Sequence, residues 1–246
     1  MIKGIRKFYA EISNSYELVN SLLTLGLDSH WRKKAVARAV ASLVKPGRFL
    51  DVCSGTGQTA AILAKRLNAA SSPGALHSSH IVAADFSQPM LEKAVERVSR
   101  LGTEGIAFAF TLADAMDLPF RDNSFDIISI SFATRNLSAA PGHLLSSFRE
   151  FHRVLKPGGC FLNLETSQPP VRLIKILFHL YVGLTVAPLG RIISGSKTSY
   201  RYLSHSIRSF YPAKELGAIL TEAGFADVEW EHMVLGGVAL HQARKA

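Results

Sequence analysis

The stretch RFLDVCSGTGQTAAILAKRL, residues 48–67, constrains the fold more than any other. A short apolar run ends in two glycines and passes directly into apolar residues at helical spacing. That is a strand, a tight turn and a helix, the opening unit of an open α/β sheet. The unit recurs. HIVAADFS (80–87) reads as a strand, and QPMLEKAVERVSRL (88–101) as a helix with Ser87 at its N-cap and Pro89 in its first turn. IAFAFTLAD (106–114) and FDIISISFA (125–133) read as strands, the second apolar enough to be covered on both faces. HLLSSFREFHRVL (143–155) is an amphipathic helix stopped by KPGG, followed by the strand CFLNLETS (160–167). AKELGAILTEAGF (213–225) is a helix, and ADVEWEHMV and GVALHQARK form a closing hairpin. The alternation predicts a doubly wound, mostly parallel sheet with helices on both faces.

At 246 residues the chain needs only one α/β domain. Within it the pattern predicts an N-terminal helical cap (1–47), a core (48–167), an apolar and basic helical lid (168–210) and a C-terminal helix and hairpin (211–246). NAASSPGALHSSH (68–80) reads as a surface connection. Two cysteines far apart are poor material for disulfides and point to a reducing, cytoplasmic setting. The N-terminus has no apolar run of signal-peptide length. The net charge of +9 is concentrated in two segments. Residues 1–48 hold nine Lys/Arg against three Asp/Glu, and 165–210 hold six against one. Such an excess suits a polyanion or an anionic membrane surface as readily as simple solubility.

The glycine turn is not a phosphate-cradling P-loop, because Gln58 and Thr59 stand where Lys and Ser/Thr are required. Gly55 to Ala60 formally satisfies the dinucleotide pattern G-x-G-x-x-A, with Asp85 ending the next strand. Asp51, in the strand before the glycines, would serve a pyrophosphate poorly and a cationic amino group well. Ligands of such sheets lie across the carboxyl ends of the strands. Asp51, Asp85 and Asp114 fall at or near three successive ends. Together they suit S-adenosylmethionine: amino-acid part, ribose hydroxyls and adenine amino group. Gly55, Thr56 and Gly57 would form the turn against it.

The segments LDVCSGTG, ADFSQPML, DAMDLPFRDNSFDIISISFATRN, FHRVLKPGG, LETSQP, SYRYLSHSIRSFY and AGFADVEW occur in that order, preceded by YELVNSLLTLGLDSHWRK. In this combination the chain resembles the ubiquinone/menaquinone-biosynthesis C-methyltransferases, most closely the branch acting on demethylmenaquinone. The resemblance implies a Rossmann-like class I S-adenosylmethionine-dependent methyltransferase with a seven-stranded sheet whose last strand is antiparallel. It carries cofactor contacts onto Thr56, Asp85, the Asp114-Ala115 pair and Ser131. The chain departs from the family where Asp114 replaces Asn, where Ala133-Thr134 replaces Gly-Leu before Arg135-Asn136, and where Glu17 replaces Asp after Tyr16.

The implied reaction is methylation of a ring carbon of a reduced prenylated naphthoquinone, with another prenylated quinone or small aromatic acceptor as the alternative. An electron-rich ring calls for loss of a phenolic proton and positive potential at the oxyanion. Arg135 and Asn136, after the fourth strand, are placed for this. Arg135 is a fixed cation suited to stabilising a phenolate, with proton loss through water, since it hardly deprotonates. The resemblance adds Tyr16 and Asn20 as covers for the ring. IKILFHLYVGLTVAPLGRII (174–193) is the most apolar stretch, but only fifteen uncharged residues separate Lys175 from Arg191. That is short of the roughly twenty a bilayer span needs, and Gly183, Pro188 and Gly190 interrupt it. It is expected to wall an entrance for a polyprenyl tail, with Arg172, Lys175, Arg191 and Lys197 meeting anionic lipid at the inner face of the cell membrane. A homodimer stays open. Nucleic acid is not expected as a partner, since SFATRNL stands where base-amino methyltransferases carry an Asn/Asp-Pro-Pro-aromatic loop. The histidines and cysteines match no zinc spacing, so no metal is expected. A dehydrogenase-like binding module is the remaining alternative, separable by binding of S-adenosylmethionine against NAD.

Overall fold

A computed structural model describes residues 16–42, 47–70, 79–102, 105–194 and 197–246. Most of the connection expected at 68–80 lies outside these residues, as does everything before Tyr16. Seven strands form one sheet: β1 (Arg48–Val52), β2 (His80–Asp85), β3 (Ala107–Leu112), β4 (Phe125–Ser131), β5 (Leu155–Thr166), β6 (Ala226–Met233) and β7 (Val238–Arg244). Their order is β3-β2-β1-β4-β5-β7-β6. The first five are parallel to one another, and β7 runs antiparallel to both β5 and β6. The order reverses between β1 and β4, which opens a crevice at the carboxyl ends of these two strands.

The helices are α1 (Tyr16–Leu23), α2 (Leu27–Ala41), α3 (Gln58–Ala70), α4 (Gln88–Ser99), α5 (Thr134–Leu137), α6 (His143–Val154), α7 (Arg172–Ser194), α8 (Lys197–Ser209) and α9 (Ala213–Glu222). Strand periodicity sorts the core to two faces. Phe49, Ile81, Ile127 and Leu162 pack with Trp31, Ala35, Leu63 and Leu67 of α2 and α3. Leu50, Val82, Ile128 and Phe161 pack on the other side with Phe148, Phe151, Leu216 and Leu220 of α6 and α9. Each such side chain contributes roughly 1.5–3 kcal/mol on burial.

One local expectation is refined and two are corrected. Ser87 does sit at the N-cap of α4, but its hydroxyl makes no cap bond; its N–H instead donates to Asp85 Oδ1 at 2.8 Å. KPGG does not separate helix from strand: β5 begins at Leu155, opposite Phe125, and the pairing shifts so that Ile127 faces Cys160. The extra residues form a bulge, and Gly159 is needed there because a Cβ would lie 2.7 Å from the Lys156 carbonyl. The apolar stretch is not interrupted. α7 runs unbroken through Gly183, Pro188 and Gly190, and Arg172–Gly190 is long and apolar enough to cross a membrane by length and composition. Packing supplies what helix propensity withholds. Val182 and Val186 join Tyr200, Leu203 and Ile207 of α8 and Val19 of α1 in a separate cluster. A Cβ on Gly190 would lie 1.9 Å from the Tyr200 ring, so glycine there admits the ring.

Candidate active site

The glycine turn leaves β1 through Cys53, whose φ is 52°, and Phe132 leaves β4 at φ 57°. Both are non-glycine residues held in the left-handed region at neighbouring strand ends, which marks the crevice between them as a strained, specialised position. A cavity of about 110 Å³ opens there. Asp51, Gly55, Thr56, Asp85, Asp114, Ala115, Ser131 and Asn136 all line it. Gly57 does not. It has φ +73°, and a Cβ would lie 2.8 Å from Ala94 Cβ. What the structure requires of it is the close approach of the glycine turn to α4.

Register explains Asp51. Pairing of β1 with β4 sets Ser129 opposite Asp51, and the Ser129 hydroxyl donates to Asp51 Oδ1 at 2.8 Å. Among the described residues Asp51 Oδ2 is buried with no well-formed hydrogen bond, and the Ala60 N–H adds a weaker pull on the carboxylate. Burial pushes the carboxyl up to about 6, with the Ser129 bond and the Arg32 charge pulling it down and Asp85 adding to the rise. Asp85 ends β2 and accepts N–H bonds from Gly55 and Ser87, both at 2.8 Å, so it also pins the turn to the sheet. Burial raises its pKa as well. Asp114 Oδ1 accepts the Met116 N–H at 3.0 Å, fixing the loop beyond β3 where Ala115 and Met116 join Phe86 and Met90 on the apolar side of the cavity.

Thr56 lines the cavity, but its hydroxyl donates to Glu17 of α1. Arg97 of α4 completes the contact: its Nε donates to the Thr56 carbonyl at 2.9 Å, and it pairs with Glu17. Burial would raise the Glu17 pKa; the Thr56 and Arg97 bonds hold it below the usual value. α1 is thereby latched over the glycine turn. Tyr16 opens α1, but its side chain lies outside the described residues.

A second cavity, of about 260 Å³, is walled mainly by apolar side chains of α1, α2, α7 and α8, with Phe132 and Val238 from the sheet ends. Asn20 lines it. Consecutive residues of α5 face the two spaces, Arg135 the apolar cavity and Asn136 the acid-lined one. Arg135 is not a lone cation. Its Nη1 meets Glu165 Oε1 at 2.7 Å and the Phe132 carbonyl at 2.8 Å, and both partners of the ion pair are buried. Its positive potential is therefore largely compensated inside the protein.

The residue that sequence reasoning missed is Arg32. It lies on α2, is 7% exposed, and lines both cavities. Its Nη1 donates to Thr59 Oγ1 at 2.8 Å, and its guanidinium lies 5.1 Å from the centre of the Phe132 ring. Glu17, Glu165 and Thr59 were missed with it. The signal was faint: Trp31-Arg32 is an adjacent aromatic–cation pair in a helix otherwise rich in surface charge, and nothing in the spacing sets Arg32 apart from Lys33 or Lys34.

The sequence matches the ubiE/COQ5 methyltransferase family over residues 2–245. The chain belongs to the ubiE/COQ5 methyltransferase family. Family relatives include a protein of Clavibacter sepedonicus named demethylmenaquinone methyltransferase, 39% identical over 98% of this chain and 90% of its own length. A Thermus thermophilus protein of the same name is 36% identical over 95% and 97%. A rice protein named mitochondrial 2-methoxy-6-polyprenyl-1,4-benzoquinol methylase is 33% identical over 99% and 83%. Among solved structures, a SAM-dependent methyltransferase of Thermotoga maritima superposes with a TM-score of 0.58 at 18% identity, covering 97% of this chain and all of that one. The CurJ carbon methyltransferase gives 0.59 at 18%, covering 91% and 55%. The fold of this ubiE/COQ5 family member is the Rossmann-like class I fold of S-adenosylmethionine-dependent methyltransferases.

Proposed function

We propose that this ubiE/COQ5 family member methylates a ring carbon of a reduced prenylated naphthoquinone, converting demethylmenaquinol to menaquinol with S-adenosylmethionine. The observation that carries the reading is the pair of adjoining cavities, one ringed by carboxylates at the strand ends and one oily, separated by α5 and Arg32. The relatives named for demethylmenaquinone support the naphthoquinol ring. The rice relative, named for a benzoquinol, supports a second reading with a different prenylated ring.

S-adenosylmethionine supplies an electrophilic methyl on sulfur. The residues present fit it: Asp51 Oδ2 is a buried acceptor with no well-formed hydrogen bond among the described residues, suited to an ammonium. Asp85 retains acceptor capacity for ribose hydroxyls and Asp114 for an adenine amino group, with Ala115, Phe86 and Met90 against its faces. Glu17 and α1 close the turn and exclude water. On the acceptor side, Trp31, Phe132, Phe178 and Val186 would hold an aromatic ring and the start of its tail. Holding the two reactants in near-attack geometry supplies much of the rate. Glu165 fixes Arg135 by two bonds, to its backbone N–H and to Nη1, so that the guanidinium edge meets the acceptor oxygen in one orientation. Methyl transfer from labelled S-adenosylmethionine to a panel of reduced naphtho- and benzoquinones, with mass analysis of the products, tests the assignment. Turnover confined to benzoquinols overturns the naphthoquinol reading.

The finer reading is that the enzyme works in the cytoplasm and meets its substrate at the anionic inner face of the membrane. Its support is an exposed apolar stripe on α7, Leu173, Ile176, Leu177, Leu180 and Leu184, continued by Leu25, Val234 and Leu235 around the oily cavity. A patch of this kind marks an interaction surface. Arg172, Arg201 and Arg208 are exposed, Arg208 beside Gly183 of α7, which favours anionic lipid over a second copy of the chain. Of the other expected basic residues, Lys175 is half-buried, and the Arg191 and Lys197 side chains lie outside the described residues.

A further inference from the structure

The acid-lined cavity contains two buried charged side chains with unsatisfied atoms of opposite character. Among the described residues Asp51 Oδ2 is an acceptor with no well-formed hydrogen bond, the Ala60 N–H acting on the carboxylate only weakly, and Arg32 Nε is a donor without an acceptor. Both residues line the same cavity. Their remaining contacts do not waste them; they aim them. Ser129 fixes one oxygen of Asp51, while Thr59 and the Phe132 ring fix one arm and one face of the Arg32 guanidinium. Two buried groups of opposite sign, each oriented and each one bond short, are expensive to keep unless a ligand completes them.

We propose that Asp51 and Arg32 form a clamp for a zwitterion, Asp51 accepting from the α-ammonium and Arg32 donating to the α-carboxylate of the amino-acid end of S-adenosylmethionine. This rests on the methyltransferase reading of the site and adds to it a carboxylate receptor on α2, outside the sheet and the glycine turn. The chemistry favours a single ligand carrying both charges. Each group already feels the charge of the other, but a cation alone would fill Asp51 Oδ2 and leave Arg32 Nε without an acceptor, and an anion alone would do the reverse. Thr59 stands in the first turn of α3, so the carboxylate also meets the positive end of that helix. The hydroxyl chain continues from Thr59 to Ser131 Oγ at 3.3 Å, which ties Arg32 to the end of β4. Because Arg32 also borders the oily cavity, fixing the carboxylate places α2 in register with the acceptor pocket. Donor binding would thereby organise the wall on which the ring packs.

The test uses the full-length protein and calorimetric titration with S-adenosylhomocysteine, with its decarboxylated analogue, and with 5′-methylthioadenosine, which lacks the whole amino-acid end. In the wild type, removing the carboxylate weakens binding about tenfold or more, the size of one charge-assisted hydrogen bond. Arg32→Met weakens S-adenosylhomocysteine by a similar factor. It leaves the other two ligands unchanged, and Arg32→Lys recovers part of the loss. Thermal melts of each variant check folding. If Arg32→Met does not fold, the wild-type comparison of carboxylated and decarboxylated ligands still decides. Equal affinity of the wild type for those two ligands overturns the clamp. So does an Arg32→Met variant that binds S-adenosylhomocysteine normally but loses turnover, which would place Arg32 on the acceptor oxygen instead. If the wild type binds none of the three adenosine ligands, the methyltransferase reading itself fails, and that outcome is distinct from either.

Discussion

Arg135 and Glu165 meet at 2.7 Å where β4 and β5 end, and neither side chain reaches solvent. The parallel register sets Ser131 opposite Leu164, Glu165 follows on β5, and α5, which begins three residues beyond β4, places Arg135 against it. Glu165 takes four bonds: the Arg135 N–H at 3.1 Å and Nη1, and the Thr166 N–H at 2.7 Å and hydroxyl at 3.0 Å. The pair is a rigid unit whose two halves cannot be removed separately without leaving a buried charge.

That relationship sets the first prediction. Glu165→Ala alone should cost about 3–5 kcal/mol of stability, because it strands the Arg135 cation. Arg135→Met should be similarly damaging through Glu165. The double variant Arg135→Met/Glu165→Met should recover most of the loss, and urea denaturation of the four proteins gives the coupling. In the double variant S-adenosylhomocysteine binding should persist while quinol turnover falls by at least about a hundredfold, the scale of one preorganised oxyanion donor.

The two glycines of the turn should respond differently. Alanine at Gly55, at φ +56° and with open space around its Cβ, carries only backbone strain of roughly 1–2 kcal/mol. Alanine at Gly57 carries similar strain plus overlap with Ala94 Cβ at 2.8 Å. Gly57→Ala should therefore lower the melting temperature well beyond Gly55→Ala. Adding Ala94→Gly should restore part of that difference despite the roughly 1 kcal/mol that a mid-helix glycine costs.

The strand-and-helix alternation, the glycine turn and the three strand-end acids were legible because each rests on local rules: periodicity, turn chemistry, and a ligand crevice at strand ends. What was not legible depended on which residues the fold brings together. Nothing near Arg135 in sequence announces Glu165, thirty residues on, and Arg32 acquires its position only when α2 packs on α3 and β5 and sets the guanidinium against Thr59 and Phe132. Composition misled in α7 as well. Gly183, Pro188 and Gly190 read as interruptions, but two of them turn out to lie against side chains of α8, Arg208 and Tyr200. Gly57 belongs to the ligand motif by sequence, and only the fold reveals that it is also constrained by packing on Ala94 of α4.

Asp51 gives a pH dependence. Its pKa of about 6, raised mainly by burial, means that the free enzyme holds a neutral acid below that pH and a carboxylate above it. An ammonium binds the ionised form, so affinity for S-adenosylhomocysteine should be flat from about pH 7 upward to where the ligand amine titrates. It should fall by up to about tenfold per unit as pH drops below 6. Binding near pH 6 should release a proton, seen calorimetrically as a dependence on buffer ionisation enthalpy. Asp51→Asn should bind weakly and lose most of the slope. Any slope that remains would be expected from Asp85, whose pKa burial also raises.

The exposed face of α7 allows a test that leaves the catalytic cavities untouched. Leu177 and Leu184 are 56% and 66% exposed and line neither cavity, so Leu177→Glu/Leu184→Glu should fold as the wild type does. A leucine buried in the lipid interface gains roughly 1.5–3 kcal/mol, so losing two should cut partitioning onto vesicles about a hundredfold or more. The wild type should sediment with phosphatidylglycerol vesicles and less with phosphatidylcholine. High salt should weaken the first without abolishing it, because screening removes the contribution of Arg172, Arg201 and Arg208 but not that of the leucines. Turnover of a short-tailed quinol in solution should match the wild type, while turnover of a long-tailed quinol embedded in vesicles should fall with the loss of binding. If the wild type sediments with neither vesicle, and light scattering shows a dimer that the double variant breaks, the stripe is covered by a second copy of the chain and the lipid assignment is wrong.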